Sequence, residues 1–196
     1  MIDRSQAASA AALKSAGVSR LASGYGLALA GTLVLTVSAK IQVPFYPVPM
    51  TLQTLAVLTL AALMGARLAT GMVALYLLEG VTGLPVFAGA VAGPAYMAGP
   101  TGGYLVGFLL CAALVGWLAD RGWTRGWLLA LAAMTLGHFV IFAAGFTWLA
   151  YGLALGAGKA WAGGVMPFWA ATAAKTVLAA ALVIAARRVN LSRSAR

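Results

Sequence analysis

Carboxylates are almost missing from this chain. Three acidic residues, Asp3, Glu79 and Asp120, stand against thirteen lysines and arginines. So few acids leave little for a proton relay or for paired-carboxylate catalysis. The one cysteine, Cys111, excludes an intramolecular disulfide and a cysteine metal cluster, and it leaves the redox compartment open. The one histidine, His138, lies in an apolar run, where packing inside a helix is its expected role. No Gly-x-x-x-x-Gly-Lys-Ser/Thr loop is present, so the chain does not power itself with ATP by that route, and no HExxH metal motif occurs. No cofactor and no metal is implied.

Charge of either sign is scarce too, at 8% of residues, while 63% are hydrophobic and the mean hydropathy is +0.96. A soluble domain carries roughly a quarter charged residues. A core of this size cannot hide so much apolar surface, so lipid is expected as part of the solvent. The net charge of +10 does not point to nucleic acid, because the bases are thinly spread and flank apolar blocks. Bases in such places set membrane topology.

Residues 21–39 form an uncharged run of 19 residues ending Val37-Ser38-Ala39. That is too long for a signal-peptide core of about 7–15 residues, so it reads as a retained span. Residues 1–20, with Asp3, Arg4, Lys14 and Arg20 among alanines, read as a cytoplasmic tail, either disordered or a short surface helix.

A span needs about 20 mostly apolar residues. Helix 1 is expected over 24–43, with Lys40 near its end. Pro44, Pro47 and Pro49 make 44–49 a loop, and helix 2 follows over 50–66. Helix 3 covers 67–82, with Glu79 near its end. The stretch 83–103 is rich in Gly and Pro and reads as a loop. Helices 4 and 5 cover 104–120 and 127–149, a glycine-rich connection covers 150–164, and helix 6 covers 165–187. With these six spans one side receives Arg4, Lys14, Arg20, Arg67, Arg121, Arg125, Arg187, Arg188, Arg193 and Arg196, ten of the thirteen bases. That side is then cytoplasmic and holds both termini, the last residues, 189–196, forming a basic tail. The expectation is an all-α membrane protein with its six-helix domain over 21–188.

The outward connections carry aromatics: Phe45 and Tyr46, Phe87 and Tyr96, Tyr151 and Trp161. They suit either a small, partly apolar ligand entering from outside or an interfacial belt. Lys175 is the most informative residue. It lies about ten residues into helix 6, about 15 Å below its outer end. A cation there costs about 2.5–3.5 kcal/mol on insertion scales, so it faces a cavity or a partner. Thr172, Ala171 and Phe168 share its helix face. Two roles stay open for Lys175: receiving a substrate carboxylate, or an internal salt bridge with Glu79. Gln53 and Thr51 open helix 2 and can bond a polar ligand edge, although local capping explains Thr51 equally well. Lys40 can snorkel outward and do nothing more. Small residues spaced by four, at Ala22, Gly26 and Ala30 and at Gly103 and Gly107, let helices approach closely, within the chain or against another subunit.

The stretches VPFYPVPMTLQTL (43–55), LYLLEGVTGLPVFAGA (75–90), GPTGGYLVGF (99–108) and PFWAATAAK (167–175) resemble the BioY family. These are biotin-specific S components of energy-coupling-factor transporters. The likeness runs from about 21 to 188, and its 75–108 block is the specific part. It implies a six-helix fold in a bacterial inner membrane, with biotin held in the outer half beneath loops 1, 3 and 5. It implies capture, not catalysis, in partnership with a transmembrane coupling protein and a pair of cytoplasmic ATPases. The Ala22, Gly26 and Ala30 face of helix 1 would then dock the coupling protein, and self-association stays open. Where many members have an aspartate three residues before the helix-6 lysine, this chain has Thr172; Glu79 is a candidate for the missing carboxylate. The expected ligand contacts are Lys175, Thr172, Gln53, Thr51, Tyr46, Phe87 and Glu79. The alternatives are a stand-alone carrier for a small carboxylate-bearing vitamin, an intramembrane enzyme using His138, and a structural membrane protein with no ligand.

Overall fold

Prolines at 44, 47 and 49 take the chain out of helix, and the structure shows what replaces it. In this computed structural model, which describes residues 24–194 (side chains to 189), the first helix α1 runs over Gly24–Lys40. It stops three residues short of the expected end. Gln42–Val43 (β1) then pairs antiparallel with Met50–Thr51 (β2), Gln42 opposite Thr51 and Val43 opposite Met50. This two-stranded clip closes loop 1 over the start of α2, Gln53–Met64.

The remaining helices are α3, Ala66–Val81; α4, Pro94–Ala98; α5, Gly102–Asp120; α6, Trp127–Thr147; α7, Ala157–Gly164; and α8, Trp169–Ser194. Two short helices, α4 and α7, therefore lie in stretches that glycine and proline marked as loops. Pro94 sits in the first turn of α4, where its missing N–H costs nothing. A π turn, Trp148–Gly152, carries α6 onward. The last helix runs through Ser194, into the stretch expected to be a basic tail, since no Gly or Pro stops it there.

By length and composition three helical stretches reach across a bilayer: Gly102–Asp120, Trp127–Gly152 and Ala157–Val189. The others are shorter, α1 and α2 being apolar but under 18 residues as described. The architecture is thus mostly helical and membrane-compatible, and α5 stands at its centre, packed on α2, α3 and α6. Gly103 and Gly107 of α5 face Ala144 and Ile141 of α6 and Trp148 of the π turn that follows it, so this small-residue pair serves packing within the chain. On α1 the buried positions are Ala28, Gly31, Thr32, Leu35, Ser38 and Ala39, while Gly26 and Ala30 are exposed. Ala22 lies outside the described residues.

At one end of the bundle the chain turns from α2 to α3 at Gly65, whose φ of +79° suits glycine. Asp120, at the end of α5, accepts a hydrogen bond from the Ala66 N–H at 3.0 Å and so caps α3 from another helix. Arg187 of α8 donates to the Ala62 carbonyl near the end of α2 at 3.1 Å. Gly116 of α5 lets this turn approach: a Cβ there would lie 2.6 Å from the Ala66 backbone nitrogen. Backbone cannot yield as a flexible side chain does, so Gly116→Ala should cost about 1–3 kcal/mol of overpacking. Gly71 of α3 has nothing within 4 Å of such a Cβ, and Gly71→Ala should be neutral or stabilise by up to about 1 kcal/mol. Thermal unfolding of the purified protein in detergent should show the midpoint falling for the first variant and not for the second.

Candidate ligand pocket

The opposite end of the bundle holds a pocket of about 560 Å³ of empty space, part of it open to solvent. Among the residues lining it, Lys175 is the one that carries a charge. Thr172 lies beside it, one helical turn earlier on α8. Thr51 and Gln53 face them from the clip and the first turn of α2.

These residues are joined by a short chain of hydrogen bonds. Lys175 Nζ donates to the Thr51 carbonyl at 2.7 Å. That carbonyl is free because α2 begins its ladder one residue later, where the Leu52 carbonyl accepts from Ala56 N–H. Thr51 Oγ1 donates to Gln53 Oε1 at 3.1 Å, and Gln53 Nε2 donates to Tyr76 Oη at 2.8 Å. Tyr76 in turn donates to the Val86 carbonyl at 2.9 Å, which ties loop 3 to the floor. Gln53 is 4% exposed and pairs through both ends of its amide, so it is a fixed polar wall.

Apolar walls come from helix interiors more than from loops. Tyr104 and Phe108 of α5, Ile141 and Phe142 of α6 and Phe168 before α8 line the pocket. The Phe142 ring lies 5.9 Å from Phe168 and 6.2 Å from Tyr104. Tyr104 Oη donates to the Gly164 carbonyl at 2.6 Å, fastening the last connection to the centre. Loop 3 contributes Ala88 and Tyr96. Burial raises the Tyr96 phenol above the ordinary tyrosine range, against hydrogen bonds with Thr101 and the Ala88 backbone that lower it. It therefore remains a neutral phenol at physiological pH.

The structure thus brings together Lys175, Thr172, Gln53 and Thr51. Three other expected contacts stand elsewhere. Tyr46 is 92% exposed and outside the pocket lining. Phe87 is fully buried behind it, edge-on to Tyr76 and stacked 4.9 Å from Tyr96, in space that the missing side chain of Gly80 leaves open. Glu79 accepts a hydrogen bond from Thr32 of α1 at 3.1 Å, on the α1–α3 contact. It neither pairs with Lys175 nor supplies the pocket with a carboxylate. Tyr151 and Trp161 are exposed as well, at 72% and 56%. His138 is buried, with Nδ1 2.9 Å from Thr176 Oγ1, a threonine that donates to the Thr172 carbonyl. Its ring stacks on Phe142, so it backs the pocket wall.

Tyr104, Phe108, Ile141 and Phe142 were not expected in the site. A signal existed for one of them: a tyrosine inside an apolar helix needs a partner for its hydroxyl, which marks an internal contact.

The BioY family model matches residues 10–191. The biotin transporter BioY of Thermotoga maritima is 37% identical over 162 residues, which cover 83% of this chain and 94% of that protein. A probable biotin transporter BioY of Pyrococcus horikoshii is 37% identical over 79% of this chain and 88% of its own. The biotin transporter BioY of Rhizobium etli is 38% identical over 72% of this chain and 79% of its own. The crystal structure of the S-component for biotin from an ECF-type ABC transporter matches with a TM-score of 0.77 at 23% identity, covering 87% of this chain and 93% of that one, a likeness of fold. A family model that spans nearly the whole chain, and relatives matched along most of their length, carry the conclusion that this chain belongs to the BioY family.

Proposed function

We propose that this protein captures biotin outside the cell and is the substrate-binding subunit of an energy-coupling-factor transporter. Kinship with biotin transporters supports the substrate. The observation that carries the site is Lys175, a cation facing a pocket with no carboxylate among its lining residues. A lysine has three N–H donors, and the Thr51 carbonyl takes one. A ligand bearing a carboxylate and a polar ureido ring fits that demand, with Thr172, Thr51 and Gln53 as further polar contacts and Tyr96, Tyr104 and Phe168 against its apolar parts. Thr172 brings one hydroxyl where a charged partner for Lys175 would lower the pull on an anion.

In this reading α1, α2, α3, α5, α6 and α8 cross a bacterial cytoplasmic membrane with both termini inside. The distribution of bases supports it, as do the Asp120 and Arg187 contacts at the end of the bundle opposite the pocket. In this reading energy comes from a separate coupling subunit and its ATPase pair, which kinship with the S-component of an ECF-type transporter supports and the lack of a phosphate loop in this chain allows. The exposed Gly26 and Ala30 positions of α1 fit close approach by that coupling subunit, with membrane lipid around the rest.

Equilibrium binding of radiolabelled biotin to the purified protein tests the site. Lys175→Met keeps the length of the side chain and removes the charge; its affinity should fall at least about tenfold, the loss expected for a desolvated charge contact. Unchanged affinity in a folded variant would falsify the assignment. Tyr46→Ala should bind within about twofold of the unmodified protein, as an exposed side chain away from the pocket should. Cellular uptake gives the test of the partners: accumulation of biotin in a host lacking coupling-factor ATPases would favour an autonomous carrier, and dependence on them is the expected result.

A further inference from the structure

Lys40, the last residue of α1, does more than reach for water. Its Nζ donates to the Phe87 carbonyl at 2.7 Å and to the Gly89 carbonyl at 2.9 Å. These two carbonyls flank Ala88, whose side chain lines the pocket. Outside the pocket a cleft open to solvent lies between loop 1 and loop 3, with Gln42, Pro47, Gly89 and Val91 on its walls. The two spaces share Pro49, Ala88, Tyr96 and Thr101. A path from outside to the pocket therefore runs between these loops, and Lys40 joins one side to the other. Its own side is firm, since the clip begins two residues on at Gln42.

The segment that Lys40 holds has few other fastenings. Before it, Phe87 is fully buried and the Val86 carbonyl accepts from Tyr76. After it, Gly93 N–H donates to the Gly80 carbonyl at 2.8 Å. Between these anchors residues 88–92 make no backbone–backbone hydrogen bond among the described residues. Gly89 has a φ of +81°, and Val91 is 59% exposed. Apart from the Tyr96 contact with the Ala88 backbone, the ammonium of Lys40 is what draws this stretch toward α1.

We propose that Lys40 is a positioning residue that holds loop 3 across the mouth of the ligand pocket, so that losing its two bonds speeds both the entry and the escape of ligand. The inference rests on reading the pocket as the biotin site. A residue needed only for stability would lower the fraction of protein able to bind; a tether at the mouth changes both rate constants of the protein that does bind.

Association and dissociation of radiolabelled biotin should be timed for the unmodified protein, Lys40→Met, Lys40→Arg and Lys175→Met. Lys40→Met should raise the dissociation rate constant about tenfold and the association rate constant severalfold, so that affinity changes less than the dissociation rate constant. Lys40→Arg, whose guanidinium donates to the same kind of carbonyl pair, should recover most of the slow exchange. A second measurement needs no ligand. Ala88→Cys, placed at a side chain 5% exposed, should react faster with a hydrophilic maleimide when Lys40→Met is also present. Unchanged rate constants together with unchanged labelling overturn the tether, and so does a fall in binding-competent protein with no change in rates. If Lys175→Met binds normally, the pocket assignment fails; if it weakens binding while Lys40→Met changes nothing, the tether alone fails.

Discussion

A shortage of carboxylates governs how this protein handles positive charge. Glu79 and Asp120 are the acids among the described residues, and each is committed to a helix contact: Glu79 to Thr32, and Asp120 to the Ala66 N–H. Arg121 therefore rests on the Trp117 ring, and three other cations find carbonyls. Lys40 takes those of Phe87 and Gly89, Lys175 that of Thr51, and Arg187 that of Ala62. A carbonyl dipole satisfies a donor without neutralising it, so charge is left over. At the surface water absorbs that remainder. In a pocket walled by Phe108, Ile141, Phe142 and Phe168 it is, on the proposed reading of the site, what attracts an anionic ligand.

The carbonyls themselves are made available by prolines and helix ends. Pro47 and Pro49 hold loop 1 out of helix and delay α2 until Gln53, which leaves the Thr51 carbonyl outside the helical ladder. Loop 3 likewise exposes the carbonyls of residues 87 and 89, since among the described residues nothing in 88–92 pairs with another backbone. Irregular backbone is tolerated where its acceptors find donors, and here they meet lysines from α1 and α8. Breaks in helix thus supply the polar half of the site, and the aromatic faces of α5 and α6 supply the apolar half.

This division explains which parts were legible in the sequence. Lys175 stood out because charge inside an apolar run is rare, and the 3.6-residue period put Thr172 and Phe168 on its face. Gln53 and Thr51 were legible because prolines fix where α2 starts. Loop aromatics were harder. Whether Tyr46 points outward or Phe87 turns inward depends on which neighbour offers a hole, and Gly80 of α3 offers one to Phe87. A salt bridge from Glu79 is one of two roles the sequence leaves open for Lys175, but α1 brings Thr32 to Glu79 instead. The short helices α4 and α7 were hidden by glycines and prolines that usually signal loops, and the pocket faces of α5 and α6 by helices apolar all round, in which no stripe marks the inside.

The two ends of the bundle are built to opposite standards. At the end away from the pocket, Gly65, Gly116, Asp120 and Arg187 lock α2, α3, α5 and α8 through backbone contacts that tolerate no added methyl group at Gly116. Around the pocket the fastenings are single side chains reaching loops: Lys40 to loop 3, Tyr76 to Val86, Tyr104 to Gly164 and Trp148 to Gly99. Each can open without unravelling α2, α3, α5 or α6, because none of its acceptors lies within those helices. A rigid base with a separately fastened rim admits motion at the mouth while Lys175 and Thr172 keep their register on α8. That is the mechanical condition for a binding protein that must close on a vitamin and later give it up.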